Sequence, residues 1–404
     1  MMNKKNLEIY VHIPFCVSKC AYCDFLSFPG NQGMQREYTE KLIEEIRCQS
    51  AKVKEYQVIS VFIGGGTPSI LNIEEMAAVL QALADGFDIR SDAEITIEVN
   101  PGTVTAESLS IYREAGVNRI SMGLQSADDK ELKYLGRIHT YDEFLKSYQR
   151  VRMAGFDNVN VDLISAIPGQ TLESWKNTLK KVTMLKPEHV SAYSLIVEQG
   201  TPYYDRYGEC SGKEKHPRPP EEDHCLTSLP DLPDEDTERS MYYLTQDFLN
   251  EQGYERYEIS NYSKRGYECR HNIGYWTGTE YLGLGLGASS YLNGCRFHNT
   301  PVFSQYCGAC FEQEDAFESM LRQQFERLTI EERMEEYMFL GLRLTQGISA
   351  QGFVSSFGHN IWNVYGTVLA AMEKEGLMEY KNGYYCLTSR GTDLSNYVMS
   401  QFLI

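Results

Sequence analysis

The chain lacks an apolar segment long enough to cross a membrane, since no uninterrupted run of about 18 apolar residues occurs in it. Its first residues, MMNKKNLEIYVHIP, contain no apolar stretch of signal-peptide length. Positive charge is also scarce: 38 Lys and Arg stand against 56 Asp and Glu, a net charge of −18. Because cations bind phosphate groups, this balance argues against nucleic acid and anionic membranes as main partners. We expect a cytoplasmic protein that is not an integral membrane protein.

Cysteine, by contrast, is plentiful, with 11 residues in a chain of 404. An odd number of thiols without an export signal does not suit a disulfide framework, so reduced thiols are expected. Three of them, Cys16, Cys20 and Cys23, lie close together in HIPFCVSKCAYCDF. In a reducing compartment such a cluster indicates a metal or iron–sulfur site.

The spacing of this triplet separates two kinds of site. Zinc favours paired Cys-x2-Cys knuckles, whereas Cys-x3-Cys-x2-Cys leaves one corner of a four-iron cluster without a protein ligand. An exogenous ligand can bind at an open corner. A zinc site that uses the three thiols and His12 stays open as an alternative.

Two other groups of possible metal ligands have no recognised spacing. One is Cys210, His216, His224 and Cys225, which we interpret as part of a solvated loop. The other is the CGAC pair Cys307 and Cys310, which with Cys269 and Cys295 could form a four-thiolate site. The βαβ context of a thioredoxin-type pair is missing there, so we expect packing thiols.

Residues 8–197 alternate β-rich runs with amphipathic helical stretches. The predicted strands are IYVHI, VISVFI, EITIEV, RISMGL, NVNVDLI and HVSAYSLI. The predicted helices are YTEKLIEEIRCQ, IEEMAAVLQALA, AESLSIYREAG, YDEFLKSYQRVRMAG and LESWKNTLKKVTML. Strand, helix and strand at this spacing predict parallel βα units. Glycine or polar residues follow four of the strands, which favours a βα barrel because such barrels build their sites at the carboxyl ends of strands.

The composition divides the chain into four expected segments. Residues 1–204 form the βα-barrel core, and 205–236 are a proline- and charge-rich excursion or linker. Residues 237–325, with a helix near 237–251, complete the barrel; GLGLGAS (283–289) is read there as strand and turn, not as a dinucleotide fingerprint. Residues 326–404 form a small winged-helix-like α+β domain. It contains the predicted helices EERMEEYMFLGLRL and NVYGTVLAAMEKEG, a hairpin turning at Asn382 and Gly383, and a last helix.

The motif YVHIPFCVSKCAYCDF resembles the cluster loop of the radical S-adenosylmethionine superfamily. More narrowly, it resembles the oxygen-independent coproporphyrinogen III oxidase family and its heme-chaperone branch. The resemblance implies an α/β fold, a partial (β/α)6-type radical SAM barrel followed by the extra β/aromatic segment and the C-terminal domain. It also implies a [4Fe–4S] cluster on the three cysteines, with S-adenosylmethionine on the open iron through its amine and carboxylate. In the family, an electron from the cluster breaks a carbon–sulfur bond and gives an adenosyl radical.

The resemblance further implies which residues contact S-adenosylmethionine. GGGTP (64–68) resembles the segment that receives the methionine end, and IEVNP, GLQS, LGRIH and VDLI match other contact positions. Glycines permit close backbone approach, carboxylates hold ammonium and hydroxyl groups, and an arginine suits a carboxylate. The matched positions are Tyr10, Tyr22, Gly65, Gly66, Thr67, Glu98, Gln125, Arg137 and Asp162.

Two stretches favour the chaperone branch over the oxidases. Phe25 stands where the oxidases have another cysteine, two residues after the third thiol, and HNIGYW (271–276) matches a His-Asn-x-x-Tyr-Trp signature of the chaperone branch. His271 is therefore predicted to bind heme iron, with Asn272, Tyr275 and Trp276 beside the porphyrin. The alternative is a hydrogen-bonded histidine with aromatic residues packed in the core.

The resemblance thus implies a heme chaperone that binds heme and transfers it to an acceptor protein. The expected partners are heme, a heme-accepting protein and an electron donor such as a flavodoxin or ferredoxin. The other function left open is an oxygen-independent coproporphyrinogen III oxidase, which converts propionates to vinyl groups by radical oxidative decarboxylation in porphyrin biosynthesis. The cofactor set alone does not separate the two.

Overall fold

The computed structural model of the chain describes residues 4–208, 228–310 and 322–403. The strands in these ranges are β1 (Lys5–Ile13), β2 (Phe15–Cys16), β3 (Phe28–Pro29), β4 (Tyr56–Gly65), β5 (Ile89–Val99), β6 (Arg119–Gln125), β7 (Val159–Ser165), β8 (His189–Ser194), β9 (Glu255–Arg256), β10 (Asn261–Ser263), β11 (Tyr281–Leu284), β12 (Ser289–Leu292), β13 (Cys295–Asn299), β14 (Arg322–Arg327), β15 (Ile348–Ser349), β16 (Met378–Lys381) and β17 (Tyr384–Leu387).

The helices in the same ranges are α1 (Gln32–Lys52), α2 (Ile73–Gly86), α3 (Ala106–Glu114), α4 (Asp129–Tyr134), α5 (Tyr141–Met153), α6 (Leu172–Met184), α7 (Pro202–Tyr207), α8 (Glu235–Glu251), α9 (Arg270–Thr277), α10 (Phe303–Cys307), α11 (Ile330–Gly341), α12 (Ala350–Phe357), α13 (Ile361–Lys374), α14 (Ser389–Asp393) and α15 (Ser395–Ser400). No helix in the described part of the chain combines the length and apolar character needed to cross a bilayer.

A large mixed sheet organises most of the described residues, in the order β14-β13-β12-β11-β1-β4-β5-β6-β7-β8-β10-β9. Its centre is the run β1-β4-β5-β6-β7-β8, in which every neighbouring pair is parallel. At one end β11 adds in parallel to β1, and at the other β10 pairs antiparallel with β8. The sheet is therefore extended at both ends instead of closing β8 onto β1. The predicted α/β fold with a partial (β/α)6-type barrel is confirmed, as are its six predicted strands and five helices.

Alternation along the strands separates an apolar layer from a polar one. In β1 the residues Leu7, Ile9, Val11 and Ile13 join the main hydrophobic core together with residues of α1. Because successive side chains of a strand point to opposite faces, the intervening residues, among them Glu8, face the barrel interior. The interior of the barrel is thus lined by polar side chains.

Local capping fixes where several helices begin. α5 starts at Thr140, whose hydroxyl accepts from the Glu143 amide while the Glu143 carboxylate accepts from the Thr140 amide. The same reciprocal pair opens α3, α6 and α11. Each pair satisfies two backbone amides that have no partner inside the helix. These caps bring the helix starts close to the positions that the apolar periodicity predicts.

The C-terminal part has a second hydrophobic core, which includes Met338, Phe353, Leu369 and Phe402. Helices α11–α15 surround the small sheet β15-β17-β16. The predicted hairpin turns at Asn382 and Gly383, with φ of 53° and 88°. Positive φ at both positions is what a tight two-residue hairpin turn requires, and this prediction is confirmed.

Several predicted boundaries fall inside regular elements. α7 crosses the boundary at 204, α8 crosses that at 236, and β14 crosses that at 325. The two helices begin where the side chains of Thr201 and Asp234 accept backbone amides, a signal more local than the shift in composition. The predicted last helix is two short helices, α14 and α15. The group Cys210, His216, His224 and Cys225 lies outside the described residues.

Candidate cofactor site

A cavity of about 380 Å³ opens at the carboxyl ends of the central parallel strands. This is the end at which βα barrels build their sites. All three clustered cysteines line it, and so do all but one of the residues predicted to contact S-adenosylmethionine. The predicted residues in its wall are Cys16, Cys20, Cys23, Tyr22, Gly65, Gly66, Thr67, Glu98, Gln125, Arg137 and Asp162.

The cysteine loop is tied to the cavity wall at two thiols. Cys16 ends β2, and its Sγ lies 3.6 Å from Thr67 Oγ1. Cys20 Sγ accepts from an Arg137 Nη1 at 3.7 Å. All three thiols are only partly buried. The loop therefore presents its sulfurs to the cavity while contacts from two other loops fix its position.

The GGGTP loop must be built from glycine because it lies directly on neighbouring groups. Gly65 has φ of +112°, and a Cβ there would stand 2.5 Å from the His12 ring. A Cβ on Gly66 would stand 2.5 Å from the Phe15 carbonyl oxygen. The Gly66 and Thr67 amides donate to backbone carbonyls of the cysteine-loop strands at 2.8 and 2.7 Å. Close backbone approach is the use that the sequence predicts for these glycines.

Two partly buried carboxyl groups stand in the wall of the cavity. Glu98 accepts the Gly65 amide at 3.1 Å, and burial together with the nearby Asp162 charge raises its pKa to about 8. Burial also raises the pKa of Asp162, although hydrogen bonds from Asn160 and Ser121 counteract it. Glu98 is thus largely protonated at neutral pH until a cation enters. A ligand ammonium in this cavity would favour its ionised form.

Asn100 is a cavity residue to which the sequence assigned no cofactor contact. Its Nδ2 donates to Thr67 Oγ1 at 2.7 Å, and its Oδ1 accepts from Arg137 Nη2 at 2.7 Å. A second bond joins the same Nη2 to the Gly123 carbonyl at 2.9 Å. Asn100 therefore connects the GGGTP loop to the arginine. The available signal was its place directly after β5, which equally suits a turn residue.

Gln125 ends β6 in a left-handed conformation, with φ of 73°. The strand pairing with β7 shifts register at this point. A non-glycine residue in this region costs about 1–3 kcal/mol and persists where surrounding contacts hold it, commonly at functional sites. The strain turns the chain at the rim of the cavity.

Tyr10 is the predicted cofactor residue that does not line the cavity. Its hydroxyl bonds to His12 Nδ1 at 2.9 Å, and its ring stacks on Phe62 at 6.4 Å. Tyr10 lies two residues before His12 on β1, further from the carboxyl end of the strand where the cavity opens. The motif match alone did not indicate how far along the strand the cavity extends.

The donor set fits a four-iron cluster with one open corner better than a zinc ion. His12, the fourth ligand of the zinc alternative, bonds through Nδ1 to Tyr10 and through Nε2 to the Leu26 carbonyl. Within residues 4–208, 228–310 and 322–403, no three His, Cys, Asp or Glu side chains are arranged to hold a single ion. The four-thiolate group suggested by Cys269, Cys295, Cys307 and Cys310 is accordingly not formed.

The predicted heme motif lies at the opposite, amino-terminal end of the barrel strands, on α9. His271 is 1% exposed, and Ser60 Oγ lies 2.9 Å from its Nδ1. Its Nε2 lies 2.9 Å from the Tyr275 hydroxyl. Burial, with the nearby Arg119 charge, lowers the His271 pKa to about 3, so the ring is neutral. In this conformation both ring nitrogens are engaged and neither faces solvent.

The rest of the motif packs α9 against the barrel and the C-terminal core. A Cβ on Gly274 would stand 2.0 Å from the Glu8 carboxyl group, so any larger residue would have to displace that group. The Arg343 guanidinium lies 4.4 Å from the Trp276 ring centroid. α9 also packs against α11. These contacts agree with the packing alternative for the motif. Heme binding by His271 would require some of them to break.

Two family models match the chain. The Radical SAM superfamily model matches residues 10–182, and the HemN C-terminal domain model matches residues 328–394. The first match contains the three cysteines and the motifs GGGTP, IEVNP, GLQS, LGRIH and VDLI, and the second covers much of the C-terminal part. The chain is a radical SAM protein with a HemN-type C-terminal domain.

Curated relatives define the family within that superfamily. The Heme chaperone HemW of Lactococcus lactis subsp. lactis is 35% identical over 404 residues, which are 100% of this chain and 99% of the relative. The Heme chaperone HemW of Bacillus subtilis is 34% identical over 98% of both chains. That of Escherichia coli K12 is 36% identical over 71% of both. This chain belongs to the HemW family.

A solved structure shows the same fold. Coproporphyrinogen III oxidase (HemN) from Escherichia coli matches with a TM-score of 0.79 over 99% of this chain and 90% of that chain. The two sequences are 23% identical. At this identity the match describes architecture and leaves activity to the residues of the site.

Proposed function

We propose that this protein is a heme chaperone that holds a [4Fe–4S] cluster with S-adenosylmethionine on its open iron and delivers heme to acceptor proteins. The observation that carries the cofactor part is the cavity, whose wall combines the three thiols with the glycine loop, Glu98, Arg137 and Asp162. The chaperone part is supported by the full-length relation to proteins named Heme chaperone HemW. Phe25 at the rim, where the oxidases have a cysteine, supports the same choice.

Each side of the cavity has a distinct part in binding the cofactors. The three thiols would hold the cluster, and the glycine loop leaves room for the ligand of its open iron. Arg137 is placed to meet a carboxylate, and Glu98 to receive an ammonium group. Asp162, also in the cavity wall, is placed to accept hydrogen bonds from hydroxyl groups of the ligand. When bound, the cluster and S-adenosylmethionine supply one-electron chemistry at the sulfonium, for which an electron donor such as a flavodoxin or ferredoxin is part of the proposal.

Heme titration of the reconstituted protein tests the function. We expect added hemin to give a saturable Soret band, and hemin-loaded protein to pass heme to a heme-free acceptor globin. We expect no protoporphyrinogen IX when the reduced protein is incubated anaerobically with coproporphyrinogen III. Formation of protoporphyrinogen IX would establish the oxidase instead, and absence of any saturable Soret band would remove the chaperone.

The His271 assignment has its own test, because the ring is engaged in the described conformation. If α9 turns its imidazole to heme iron, His271→Ala weakens the Soret band, and Tyr275→Phe leaves it intact or strengthens it by releasing Nε2. His298→Ala, a partly exposed histidine on β13, is the matched control. Equal heme binding by His271→Ala and the control would leave α9 with the packing role alone.

A further inference from the structure

A directed chain of hydrogen bonds connects the cofactor cavity with the N-terminal end of α9, on the opposite side of the barrel. It starts at Asp162, whose two carboxylate oxygens accept from Asn160 Nδ2 at 2.7 Å and from Ser121 Oγ at 3.0 Å. Asn160 Nδ2 also donates to Ser121 Oγ at 2.8 Å. With its amide nitrogen committed to these two acceptors, Asn160 offers only its carbonyl oxygen to the next residue.

His189 receives that carbonyl oxygen, which fixes its tautomer. Its Nδ1 lies 2.6 Å from Asn160 Oδ1, so Nδ1 carries the proton and donates. Burial, with the nearby Arg119 charge, holds the pKa of His189 well below its usual range, and the ring is neutral. A neutral imidazole has one donor and one acceptor, so Nε2 accepts. The Tyr257 hydroxyl, 2.9 Å away, must therefore donate to it.

The series of hydrogen bonds ends at α9, the helix that carries HNIGYW. The Tyr257 hydroxyl donates its hydrogen bond to His189, so its oxygen is available as an acceptor. It accepts from the backbone amide of Cys269, the N-cap residue of α9, at 3.3 Å. The next two amides of the helix donate to the Glu94 carboxylate on β5 at 3.2 and 3.3 Å. A carboxylate at this position satisfies free amides and complements the helix dipole. The N-terminal end of α9 is thus anchored by the Tyr257 hydroxyl and the Glu94 carboxylate.

Every member of this chain has one available arrangement of protons. The amide of Cys269 donates to Tyr257, Tyr257 to His189, His189 to Asn160, and Asn160 to Asp162. The histidine is 0% exposed and Asn160 is 2% exposed, so water does not compete for these bonds. A rotation of the Asp162 carboxylate would leave one N–H of the Asn160 amide without its acceptor in the interior, and each further link would be affected in turn.

We infer that Asn160, His189 and Tyr257 are positioning residues, which fix Asp162 as an oriented acceptor in the cofactor cavity and link that orientation to the anchoring of α9. The inference rests on the proposed function, because it takes the ligand of Asp162 to be S-adenosylmethionine. Its consequence is reciprocal: cofactor binding at Asp162 tightens the N-terminal turn of α9, and loosening that turn weakens cofactor binding.

Tyr257→Phe tests the inference, since it removes one hydroxyl that does not line the cavity. In anaerobically reconstituted protein we expect about three- to tenfold weaker S-adenosylmethionine binding by equilibrium dialysis, with unchanged iron content. Tyr254→Phe is the matched control: its hydroxyl donates to the Pro187 carbonyl at 2.7 Å, in the same region but outside the chain. That control should bind like the wild type even if its thermal stability falls as much.

Hydrogen exchange tests the effect of cofactor binding on the N-terminal turn of α9. We expect S-adenosylmethionine to slow amide exchange in residues 269–273 of the wild type and of Tyr254→Phe, and not of Tyr257→Phe. Wild-type affinity in Tyr257→Phe, or equal weakening in both variants, would overturn the positioning role. Failure of the wild type itself to bind S-adenosylmethionine would instead overturn the proposed function, so the two failures are distinguishable.

Discussion

Glu8 offers a direct test of how the polar interior of the barrel is balanced. Its carboxyl group is fully buried, accepts from Ser60 Oγ at 3.1 Å, and has one oxygen, Oε2, with no hydrogen-bond partner among the described residues. Burial, with a smaller contribution from the charge of Glu94, raises its pKa from 4.5 to about 9, against the lowering by Ser60. The folded protein therefore holds Glu8 protonated at neutral pH.

The sign of the pH effect follows from that raised pKa. Between pH 4.5 and 9 the unfolded chain releases the Glu8 proton and the folded chain retains it, so the free energy of unfolding falls as pH rises. One such group contributes a slope of about 1.4 kcal/mol per pH unit, or about 2.7 kcal/mol from pH 6 to pH 8. Glu8→Gln keeps an acceptor for Ser60 but does not titrate. The stability of the variant relative to the wild type should rise by about that amount across this range.

The assay must report the barrel, because the C-terminal part has its own core. Urea unfolding at pH 6, 7 and 8 can be followed by pulsed hydrogen exchange of peptides from β1 and β4. Glu55→Gln, a substitution of an exposed glutamate beside the start of β4, is the control and should follow the wild-type curve. Parallel pH profiles for the wild type and Glu8→Gln would refute the reasoning.

Three further substitutions have defined outcomes. Gly274→Ala places a Cβ against the Glu8 carboxyl group and should lower the free energy of unfolding by about 1–3 kcal/mol. Gly33→Ala on α1, where the nearest atom to a Cβ is 3.2 Å away, is the control and should not lower it. Urea unfolding measures both variants, and equal stability of the two would contradict the Gly274 contact. Asn100→Ala should weaken S-adenosylmethionine binding without loss of iron, measured by equilibrium dialysis, and unchanged affinity would deny its bridging role. Glu45→Leu removes the carboxylate that accepts from three buried donors and should cost at least about 3 kcal/mol in the same unfolding assay; a loss below about 1 kcal/mol would contradict this expectation.

The barrel was predictable because its strands and helices carry strong local signals. VISVFI and EITIEV are short apolar runs bounded by polar residues, and the later helices α3 and α5 begin at reciprocal threonine caps. Residues at the carboxyl ends of parallel strands meet by geometry, so Glu98 and Asp162 could be assigned to one cavity before their contacts were known. Residues from distant parts of the sequence were brought together by topology alone.

α9 was not predictable in the same way. RHNIGYWT has a glycine in its middle and no apolar period, and an isolated helix of eight residues is marginal in water. It forms because Glu94 receives its first amides and because the Glu8 carboxyl group lies under Gly274. These are tertiary contacts with strands far away in the sequence. The sequence motif therefore identified the segment without indicating that His271 faces the barrel interior.

The most direct measurement of the central claim is the spectrum of the anaerobically reconstituted protein before and after S-adenosylmethionine is added. An open iron corner predicts a brown protein with about four iron atoms per chain, whose reduced electron paramagnetic resonance signal changes when S-adenosylmethionine binds. Replacement of Cys16, Cys20 or Cys23 by alanine should abolish the cluster. A colourless protein with stoichiometric zinc, or a cluster whose signal is indifferent to S-adenosylmethionine, would contradict the account.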